Sequence, residues 1–408
     1  MTDDPETAEP SSGGTPAPPT ASLLVVATVA PTIRQFLVPY AIHLRQLGWR
    51  VDAAANGAMG EPALQESFDT LYELPLSRSI LDVRGMLRGY RAISAILDEV
   101  RPDIVHVHTP IAAFITRLAV RRMPAARRPM VAYTAHGFHF YKGGSPLTNA
   151  TFITAERIAG RWTDRLVVMN DEDENGARRH RIVAPRRLIH MPGIGLDTGY
   201  YARAALAPGA LEAARREFGI GAEAPLVVAV GELSRRKRMA DVISALALVA
   251  DPATRLVIAG EGFEREHLEA LIGRLGLDGR VTLAGKVADV RPLVASATGL
   301  ILASDREGLP RAIMEGLSLE VPVIASEARG NAELVGSDAG FIFPIGDARA
   351  LAGHIDWLNE HPDEARAMGR AGRARMVERY DIGRLVPLHD ELYASLLAER
   401  PTEGPTKD

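Results

Sequence analysis

The stretch SLLVVATVAPTIRQFLVPYAIHLRQLGWRVDAAAN, residues 22–56, decides the fold of this chain. It begins with an apolar run of strand length, SLLVVATV (22–29). A helical pattern, FLVPYAIHLRQLGW (36–49), and a second strand pattern, RVDAAAN (50–56), follow. A strand, a helix and a strand in succession are typical of a parallel crossover unit.

The same alternation extends along the chain and then restarts. In the first half, further strand patterns lie at 103–109, 130–136, 165–170 and 187–192. A second series lies at 225–233, 254–260, 281–285, 299–304, 321–326 and 340–344. Helical patterns separate most of these strands, which favours parallel sheets covered on both faces. The fold class we predict is α/β, with two Rossmann-like, doubly wound domains that face a cleft.

The segment 196–225 holds helical stretches but no strand pattern, so we place the domain boundary near residue 205. The N-terminal residues are rich in acids, prolines and small polar residues, which is typical of disorder. The predicted segments are a disordered tail (1–20), a first domain (21–205), a second domain (206–378), a C-terminal helix (379–399) and a tail (400–408).

The composition excludes several classes of protein. The chain has 408 residues, of which 47% are hydrophobic and 24% charged, as in ordinary globular proteins. It has no cysteine, which rules out disulfides and thiolate metal sites and fits a reducing cytoplasm. No apolar run approaches the roughly 18 residues of a membrane span, and the start lacks the pattern of a signal peptide. We expect a cytoplasmic protein with no nucleic-acid partner.

The charge is distributed unevenly. Residues 21–200 carry 22 Lys and Arg against 16 Asp and Glu, whereas residues 201–408 carry a net charge of −6. This asymmetry suggests that only the first half meets an anionic surface or substrate.

The candidate functional residues follow the strands, because ligands of open α/β sheets bind beyond the carboxyl ends of the strands. GELSRRKR (231–238) places four consecutive cations at a strand-to-helix junction, which suits a phosphate or diphosphate. A solvated basic turn is the alternative interpretation. In the first domain, His136 ends a strand just before Gly137, where the backbone can approach a ligand.

The other histidines carry a weaker signal. We interpret His106, His139 and His190 as structural residues. His108 and His136 lack a third ligand at metal spacing, so we expect no metal site.

DREGLPRAIMEG (305–316) sets Glu307 and Glu315 eight positions apart, across what the pattern predicts as the first turns of a helix. Pro310 fits the first helical position. Glu307 could complement the helix dipole, but Glu315 lies too far along, and its order relative to Arg311 does not favour pairing. Two carboxylates that face the diols of a sugar and a ribose would explain both.

Together these motifs resemble the family-4 retaining glycosyltransferases of GT-B fold. The resemblance rests on HTP (108–110), TAHG (134–137), GELSRRKR, the turns AGEG (259–262) and GKVADV (285–290), and above all the Glu307-x7-Glu315 pair. It covers about residues 22–395. The N-terminal segment is similar to the branch that builds bacterial capsule, exopolysaccharide and glycan precursors on lipid carriers.

The resemblance implies a role for each matching residue on the donor side. Glu315 would hold the ribose of a nucleotide sugar, and Glu307 the transferred sugar. Lys237, with Arg235 or Arg236, would neutralise the leaving diphosphate. The remaining donor contacts implied are Gly308, Leu309, Pro310 and Arg311 near the phosphates, and Lys286 and Val287 at the base.

On the acceptor side, the resemblance implies that His136 lines the reaction centre, so that His136, Glu307 and Lys237 form the catalytic set. His108, Thr109 and Gly137 would lie nearby. The final helix would pack back on the first domain. Glu232 stands where many relatives have arginine, so the phosphate-binding arginine stays open, and Ala30, Pro31 and Thr32 replace a glycine-rich loop.

The function predicted is retaining transfer of a sugar from a nucleotide diphosphate sugar, most simply a UDP-sugar, to an acceptor hydroxyl without a metal or other cofactor. A polyprenyl-linked saccharide is the predicted acceptor. A nucleotide-sugar epimerase of the same scaffold, or a non-catalytic sugar-nucleotide binding subunit, are the alternatives. The basic segments RRMPAARR (121–128) and 178–187 suggest contact with an anionic membrane at its inner face, although a solvated surface explains them equally well.

Overall fold

The computed structural model describes residues 20–77, 82–141 and 143–400, which form two α/β domains. Both predicted tails, apart from Thr20 and Arg400, lie outside the described residues.

The first domain is built on a seven-stranded parallel sheet with strand order β3-β2-β1-β4-β5-β6-β7. Its strands are β1 (Ser22–Val29), β2 (Arg50–Asn56), β3 (Leu71–Glu73), β4 (Ile104–His108), β5 (Met130–Ala135), β6 (Arg165–Val168) and β7 (Leu188–His190). Its helices are α1 (Ala30–Phe36), α2 (Val38–Gln46), α3 (Pro62–Ser67), α4 (Val83–Val100), α5 (Pro110–Arg122), α6 (Pro146–Gly160) and α7 (Asp171–Arg179). Successive side chains of β1 enter opposite cores, Leu24 one and Leu23 the other, so both sheet faces are covered.

Two local predictions in this domain were wrong. The strand β3 was missed, because its three residues are too few to show a strand pattern. The helix predicted over 36–49 is shorter, since α2 spans Val38–Gln46, and a separate helix, α1, precedes it and breaks from it at Leu37. Pro39 explains the break, since it lacks an amide hydrogen and its ring crowds the preceding turn.

The second domain repeats the architecture with a six-stranded parallel sheet of order β10-β9-β8-β11-β12-β13. Its strands are β8 (Leu226–Val230), β9 (Arg255–Ala259), β10 (Val281–Gly285), β11 (Gly299–Leu302), β12 (Val323–Ser326) and β13 (Gly340–Phe343). Its helices are α8 (Ala210–Glu217), α9 (Met239–Leu246), α10 (Arg265–Leu275), α11 (Arg291–Ala295), α12 (Arg311–Ser318), α13 (Asn331–Val335), α14 (Ala348–Glu360) and α15 (Pro362–Arg375). The predicted fold class is confirmed, and in each sheet the strand order reverses beside the first strand, β1 or β8, where a crevice opens.

The chain crosses between the domains twice, and the two crossings bond to each other. The Leu196 amide donates to the Tyr380 carbonyl at 2.9 Å, and the Ile382 amide donates to the Leu196 carbonyl at 2.9 Å. Asp381 accepts from the Thr198 hydroxyl at 2.5 Å. These bonds tie the two crossings to each other.

The last helix, α16 (Ile382–Glu399), lies against the first domain although it follows the second sheet. Leu392, Tyr393 and Leu396 are buried in the same core as Leu23. The Tyr393 hydroxyl lies 2.8 Å from Nδ1 of His106. Within the described part of the chain, every helix is too short or too polar to cross a bilayer.

Three histidines, His106, His108 and His389, lie buried where α16 meets the first domain, and half-buried His136 lies beside them at the cleft. Burial lowers the pKa of His136 and His389 to about 4. It also lowers the pKa of His106 and His108 well below the usual value. All four side chains are therefore neutral in the folded protein at pH 7.

These histidines predict acid sensitivity. The unfolded chain takes up protons on them near pH 6.5, whereas the folded chain does so only at much lower pH, so stability falls as pH drops from about 6.5 toward 4. We expect the melting temperature to fall by roughly 10 °C between pH 7 and pH 5. His389→Phe, which keeps a ring against Tyr40, should show a smaller fall. A melting temperature that is constant over this interval would contradict this prediction.

Candidate active site

The carboxyl ends of the two sheets face each other across a cavity of about 520 Å³. The first domain contributes Thr32, Gln35, Phe36, Thr109, His136 and Met169 to its wall. The second domain contributes Gly231, Glu232, Arg236, Lys237, Met314, Glu315 and the segment 307–312. The cavity is therefore the predicted cleft, and it gathers most of the candidate residues.

Glu307 and Lys237 form the central ion pair of the cavity, with Nζ of Lys237 2.7 Å from Oε1 of Glu307. Nη1 of Arg236 lies 3.2 Å from the same oxygen. Burial alone would raise the pKa of Glu307, but the charge and hydrogen bond of Lys237, with Arg236, lower it. Glu307 is consequently ionised and fixed in position.

The four cations at 235–238 fall into two groups, one that lines the cavity and one that does not. Arg236 and Lys237 point into the cavity from the 3₁₀ turn Arg235–Lys237. Arg235 is 89% exposed and reaches Glu264 instead. Arg238 has a left-handed backbone, with φ of 51°, and pairs with Asp241 at 2.6 Å. The geometry therefore selects Arg236 as the arginine beside the central pair.

Glu315 has a partner, contrary to the expectation from its spacing. Nε of Arg311 lies 2.7 Å from Oε1 of Glu315, one turn away in α12. The order of the two residues is the less favoured one in an isolated helix. Here the Arg311 side chain is also fixed across the cleft, because its Nη1 donates to the Gln35 carbonyl at 2.7 Å. Beside them, burial and the charge of Glu315 raise the pKa of Tyr201 to about 12.

The helix start was also misplaced by a few residues. α12 begins at Arg311, so Glu307 lies in the loop before the helix and not in its first turn. Pro310 is the residue that caps the helix, with an extended backbone (ψ of 118°), and not the first helical residue. The loop brings Glu307 to Lys237, while the helix carries Glu315.

His136 and His108 occupy different depths in the first domain. Nε2 of His136 and Nδ1 of His108 lie 3.0 Å apart and share a hydrogen bond. His136 lines the cavity, whereas His108 is fully buried behind it, and its Nε2 has no hydrogen-bond partner among the described residues. Of the residues predicted on the acceptor side, Thr109 reaches the cavity wall and His108 does not.

Gly137 serves the contact between domains. A Cβ on Gly308 would lie 1.9 Å from the His136 carbonyl oxygen, and a Cβ on Gly330 would lie 2.0 Å from the Gly308 carbonyl oxygen. Gly137 itself has φ of 119°, and a Cβ there would lie 3.1 Å from Cα of Gly308. The domains thus meet backbone to backbone at Gly137 and Gly308, and Gly330 packs against Gly308 within the second domain.

Arg329, which the sequence analysis missed, bonds across this contact. Its Nη1 lies 2.6 Å from Oδ1 of Asp173, and its Nη2 donates to the Phe138 carbonyl at 2.8 Å, both in the first domain. Its Nε donates to the Glu307 carbonyl at 3.2 Å. Both charged side chains of the pair are buried. An arginine before a glycine in a loop gave no signal that could have predicted this bridge.

The base-side residues lie outside the cavity wall. Lys286 is exposed after β10, and Val287 packs partly against the core of the second domain. Within the described ranges, the one group with ligand atoms at metal spacing is Asp171, Glu174 and His190, which does not line the cleft.

Comparison with known proteins assigns the chain to a family. Residues 211–375 match the sequence profile of the glycosyl transferases group 1, and residues 36–193 match that of glycosyltransferase family 4. A Bacillus subtilis (strain 168) protein named as the glycosyltransferase EpsD is 33% identical over 385 residues, covering 93% of this chain and 97% of that protein. The chain belongs to this family and is a glycosyltransferase, as its motifs predicted.

More distant relatives and solved structures agree. The UDP-Gal:alpha-D-GlcNAc-diphosphoundecaprenol alpha-1,3-galactosyltransferase of Escherichia coli is 25% identical, covering 83% of this chain and 86% of that protein. Anabaena HepE, solved with UDP and glucose, superposes with a TM-score of 0.77 at 20% identity over 92% of this chain and all of that one. Sucrose-phosphate synthase of Thermosynechococcus elongatus superposes with a TM-score of 0.79 at 19% identity, over 93% of this chain and 100% of that one. The fold is GT-B.

The close contact between Gly308 and the His136 carbonyl predicts that a larger residue at position 308 disturbs the cleft. Gly308→Ala would force the domains apart, because its Cβ has no room beside the His136 carbonyl. We expect a larger radius of gyration in small-angle scattering and a loss of turnover of at least about tenfold, since misplaced groups lose catalytic geometry.

Gly353→Ala is the matched control. Its Cβ would meet no atom within 4 Å, and alanine in the middle of α14 should stabilise the helix by roughly 0.5–1 kcal/mol. Equal activity of Gly308→Ala and the wild type would show that the domains need not touch at this point.

Proposed function

We propose that this glycosyltransferase moves a sugar from a uridine diphosphate sugar to an acceptor hydroxyl with retention at the anomeric carbon. The observation that carries the proposal is the pair of carboxylate–cation contacts, Lys237–Glu307 and Arg311–Glu315, in one cavity between the domains. Cations suit the diphosphate and carboxylates suit the diols. The UDP-Gal donor named for the Escherichia coli relative and the UDP in the HepE complex support uridine as the base.

Binding of the donor would replace some of the contacts between these cations and carboxylates. A diphosphate competes for Lys237 and Arg236, which releases the oxygens of Glu307 to accept hydrogen bonds from the sugar hydroxyls. Glu315, held by Arg311, would accept from the ribose. The free protein thus keeps both carboxylates oriented before the donor arrives.

The transfer step exchanges one bond of the anomeric carbon for another. The bond between the anomeric carbon and the diphosphate oxygen breaks, and its electron pair leaves with the nucleoside diphosphate. The acceptor oxygen bonds to the anomeric carbon from the same face, and its proton passes to the departing diphosphate. Lys237 and Arg236 lower the barrier by stabilising the charge that grows on the leaving group. Because protein cations perform this task, the mechanism we propose uses no metal.

The acceptor side faces the first domain. His136, neutral at pH 7, would contact the sugar and the incoming hydroxyl. The diphosphoundecaprenol acceptor named for the Escherichia coli relative supports a lipid-linked saccharide as acceptor. We therefore place the reaction in cell-surface polysaccharide synthesis at the cytoplasmic face of the membrane.

One assay distinguishes a transferase from the two alternatives, an epimerase and a non-catalytic binding subunit. An epimerase needs a base that removes a sugar proton, and Glu307 is a weak one because its pKa is lowered. Incubation with labelled UDP-sugars, with and without a lipid-linked saccharide, decides the matter. A transferase gives product only with acceptor, an epimerase converts the donor alone, and a binding subunit does neither.

In this assay we expect Lys237→Ala and Glu307→Ala each to lower turnover by more than about tenfold, because each removes a charge that acts on the donor. Arg236→Ala should weaken UDP binding about tenfold, because the Arg236 guanidinium lies beside Lys237 at the same oxygen of Glu307, where we place the diphosphate. Arg235→Ala, the adjacent control that points at Glu264, should stay within about twofold of wild type. Wild-type rates for Lys237→Ala or Glu307→Ala would refute the assignment.

The proposal includes contact with an anionic membrane. The basic segments 121–128 and 178–187 meet at the N-terminal edge of the first sheet, on the side opposite the cleft. There a cavity of about 680 Å³ is lined by Arg121, Arg128, Arg161, Arg187 and Arg400. Anionic headgroups bound here would hold the protein at a bilayer and leave the cleft open.

Cosedimentation with vesicles that contain phosphatidylglycerol tests this contact. We expect binding that weakens with salt and falls at least about threefold in Arg121→Glu, since each charge near an anionic surface contributes about 1 kcal/mol. Arg366→Glu, on the exposed surface of α15, is the control. Binding that ignores both salt and the Arg121 substitution would contradict the contact.

A further inference from the structure

A second cavity, of about 740 Å³, lies in the first domain beside the cleft. It is enclosed by α4, α5 and α6 and by the ends of β1 and β4. Most of its wall is apolar, from Val29, Met86, Pro110, Ile111, Phe114, Ile115, Phe152 and Ala155. The cavity is partly open to the surface, so a ligand can enter it from outside.

The cavity wall offers no charge to a ligand. Among the described residues that line it, none is a lysine or an arginine. Glu156 is the one acid, and it is occupied by Nη2 of Arg117 at 3.0 Å and by the Tyr133 hydroxyl at 3.1 Å. His139 is uncharged at pH 7, because burial lowers its pKa. A saccharide would leave its hydroxyls without partners on such a wall, whereas a hydrocarbon would match it.

The cavity adjoins the cleft. Thr32 and Thr109 line both spaces and stand between them. Thr109 has φ of 66°, a strained value for a residue with a branched side chain. The strain is held in place by Thr28, whose amide donates to Oγ1 of Thr109 at 3.0 Å and whose hydroxyl lies 2.7 Å from it. Strained residues that persist in this way cluster at functional sites.

From this shared wall we propose that the cavity binds the hydrocarbon chain of the acceptor, with the acceptor's saccharide in the cleft. The inference rests on the proposed function and narrows it: the substrate class is a saccharide joined to an isoprenoid or alkyl chain. Thr32 and Thr109 then mark the point where the polar part ends and the chain begins. A cavity of this size buries most of the surface of a molecule with a few isoprene units.

Titration with farnesol, a short isoprenoid alcohol, tests the cavity without catalysis. We expect saturable one-to-one binding by calorimetry and a change in the fluorescence of Trp162, whose ring lies 6.4 Å from that of Phe114 in the cavity wall. Ala155→Phe should weaken binding at least about tenfold, because the new ring takes up the space. Ala150→Phe, the same change at an exposed position of α6, should bind farnesol like the wild type.

A second variant that fills the cavity controls for a folding defect in Ala155→Phe. Met86→Trp narrows the cavity from the opposite wall, in α4, and should give the same loss. UDP binding and the melting temperature should be unchanged in both filling variants. Farnesol binding that persists unchanged in Ala155→Phe and Met86→Trp would overturn the proposal, as would its absence in the wild type.

Kinetics distinguish failure of this inference from failure of the proposed function. With one saccharide carrying either a methyl or a farnesyl group, the wild type should show a KM at least about tenfold lower for the farnesyl acceptor. Ala155→Phe should remove that advantage and leave the methyl acceptor unaffected. Equal KM values for the two acceptors would refute the cavity's role only. Absence of transfer to either acceptor would refute the proposed function. The farnesol titration would still test whether the cavity binds a hydrocarbon chain.

Discussion

The bridge formed by Arg329 sets the distance between the two domains, and the geometry of the cleft depends on that distance. Arg329 belongs to the second domain, yet two of its three bonds are made to the first, to Asp173 and to the Phe138 carbonyl. Removing one partner from a buried pair leaves an uncompensated charge, at a cost of about 3–5 kcal/mol. The third bond, to the Glu307 carbonyl, connects this bridge directly to the loop that carries a carboxylate of the site. Domain approach and the position of Glu307 are therefore coupled.

The contacts of Lys237 and Arg236 with Glu307 explain how this carboxylate stays ionised in a confined space. An isolated buried acid would take up a proton and lose the ability to accept hydrogen bonds from diols. Lys237 and Arg236 prevent this at Glu307, and Arg311 lies against Glu315. Each cation also suits an anionic donor, so the same groups serve the free protein and the complex. The desolvation that makes the pairs necessary also strengthens their action on a leaving group.

Much of this arrangement could be predicted because it follows from local pattern. Apolar runs gave nearly all the strands, and strand ends gave the site, since a parallel sheet brings those ends together. Side-chain direction could not be predicted: Arg235 and Arg236 are neighbours, but the 3₁₀ turn sends them to opposite sides. Contacts between segments that are distant in the sequence could not be predicted either. The Arg311–Glu315 pair depends on the Gln35 carbonyl of the other domain, and Arg329 depends on Asp173, 156 positions away. The cavity in the first domain arises from the packing of three helices, which no single segment encodes.

Transfer to an alcohol requires that water be kept from the anomeric carbon, and the two sides of the cleft meet this requirement differently. On one side, the backbones of His136 and Gly308 approach so closely that no layer of water fits between them. On the other side, Thr32 and Thr109 line both the cleft and the apolar cavity. A hydrocarbon chain in that cavity would close this second side at the moment when the acceptor is in place. Exclusion of water would then depend on the acceptor itself, which favours transfer over hydrolysis without a separate lid.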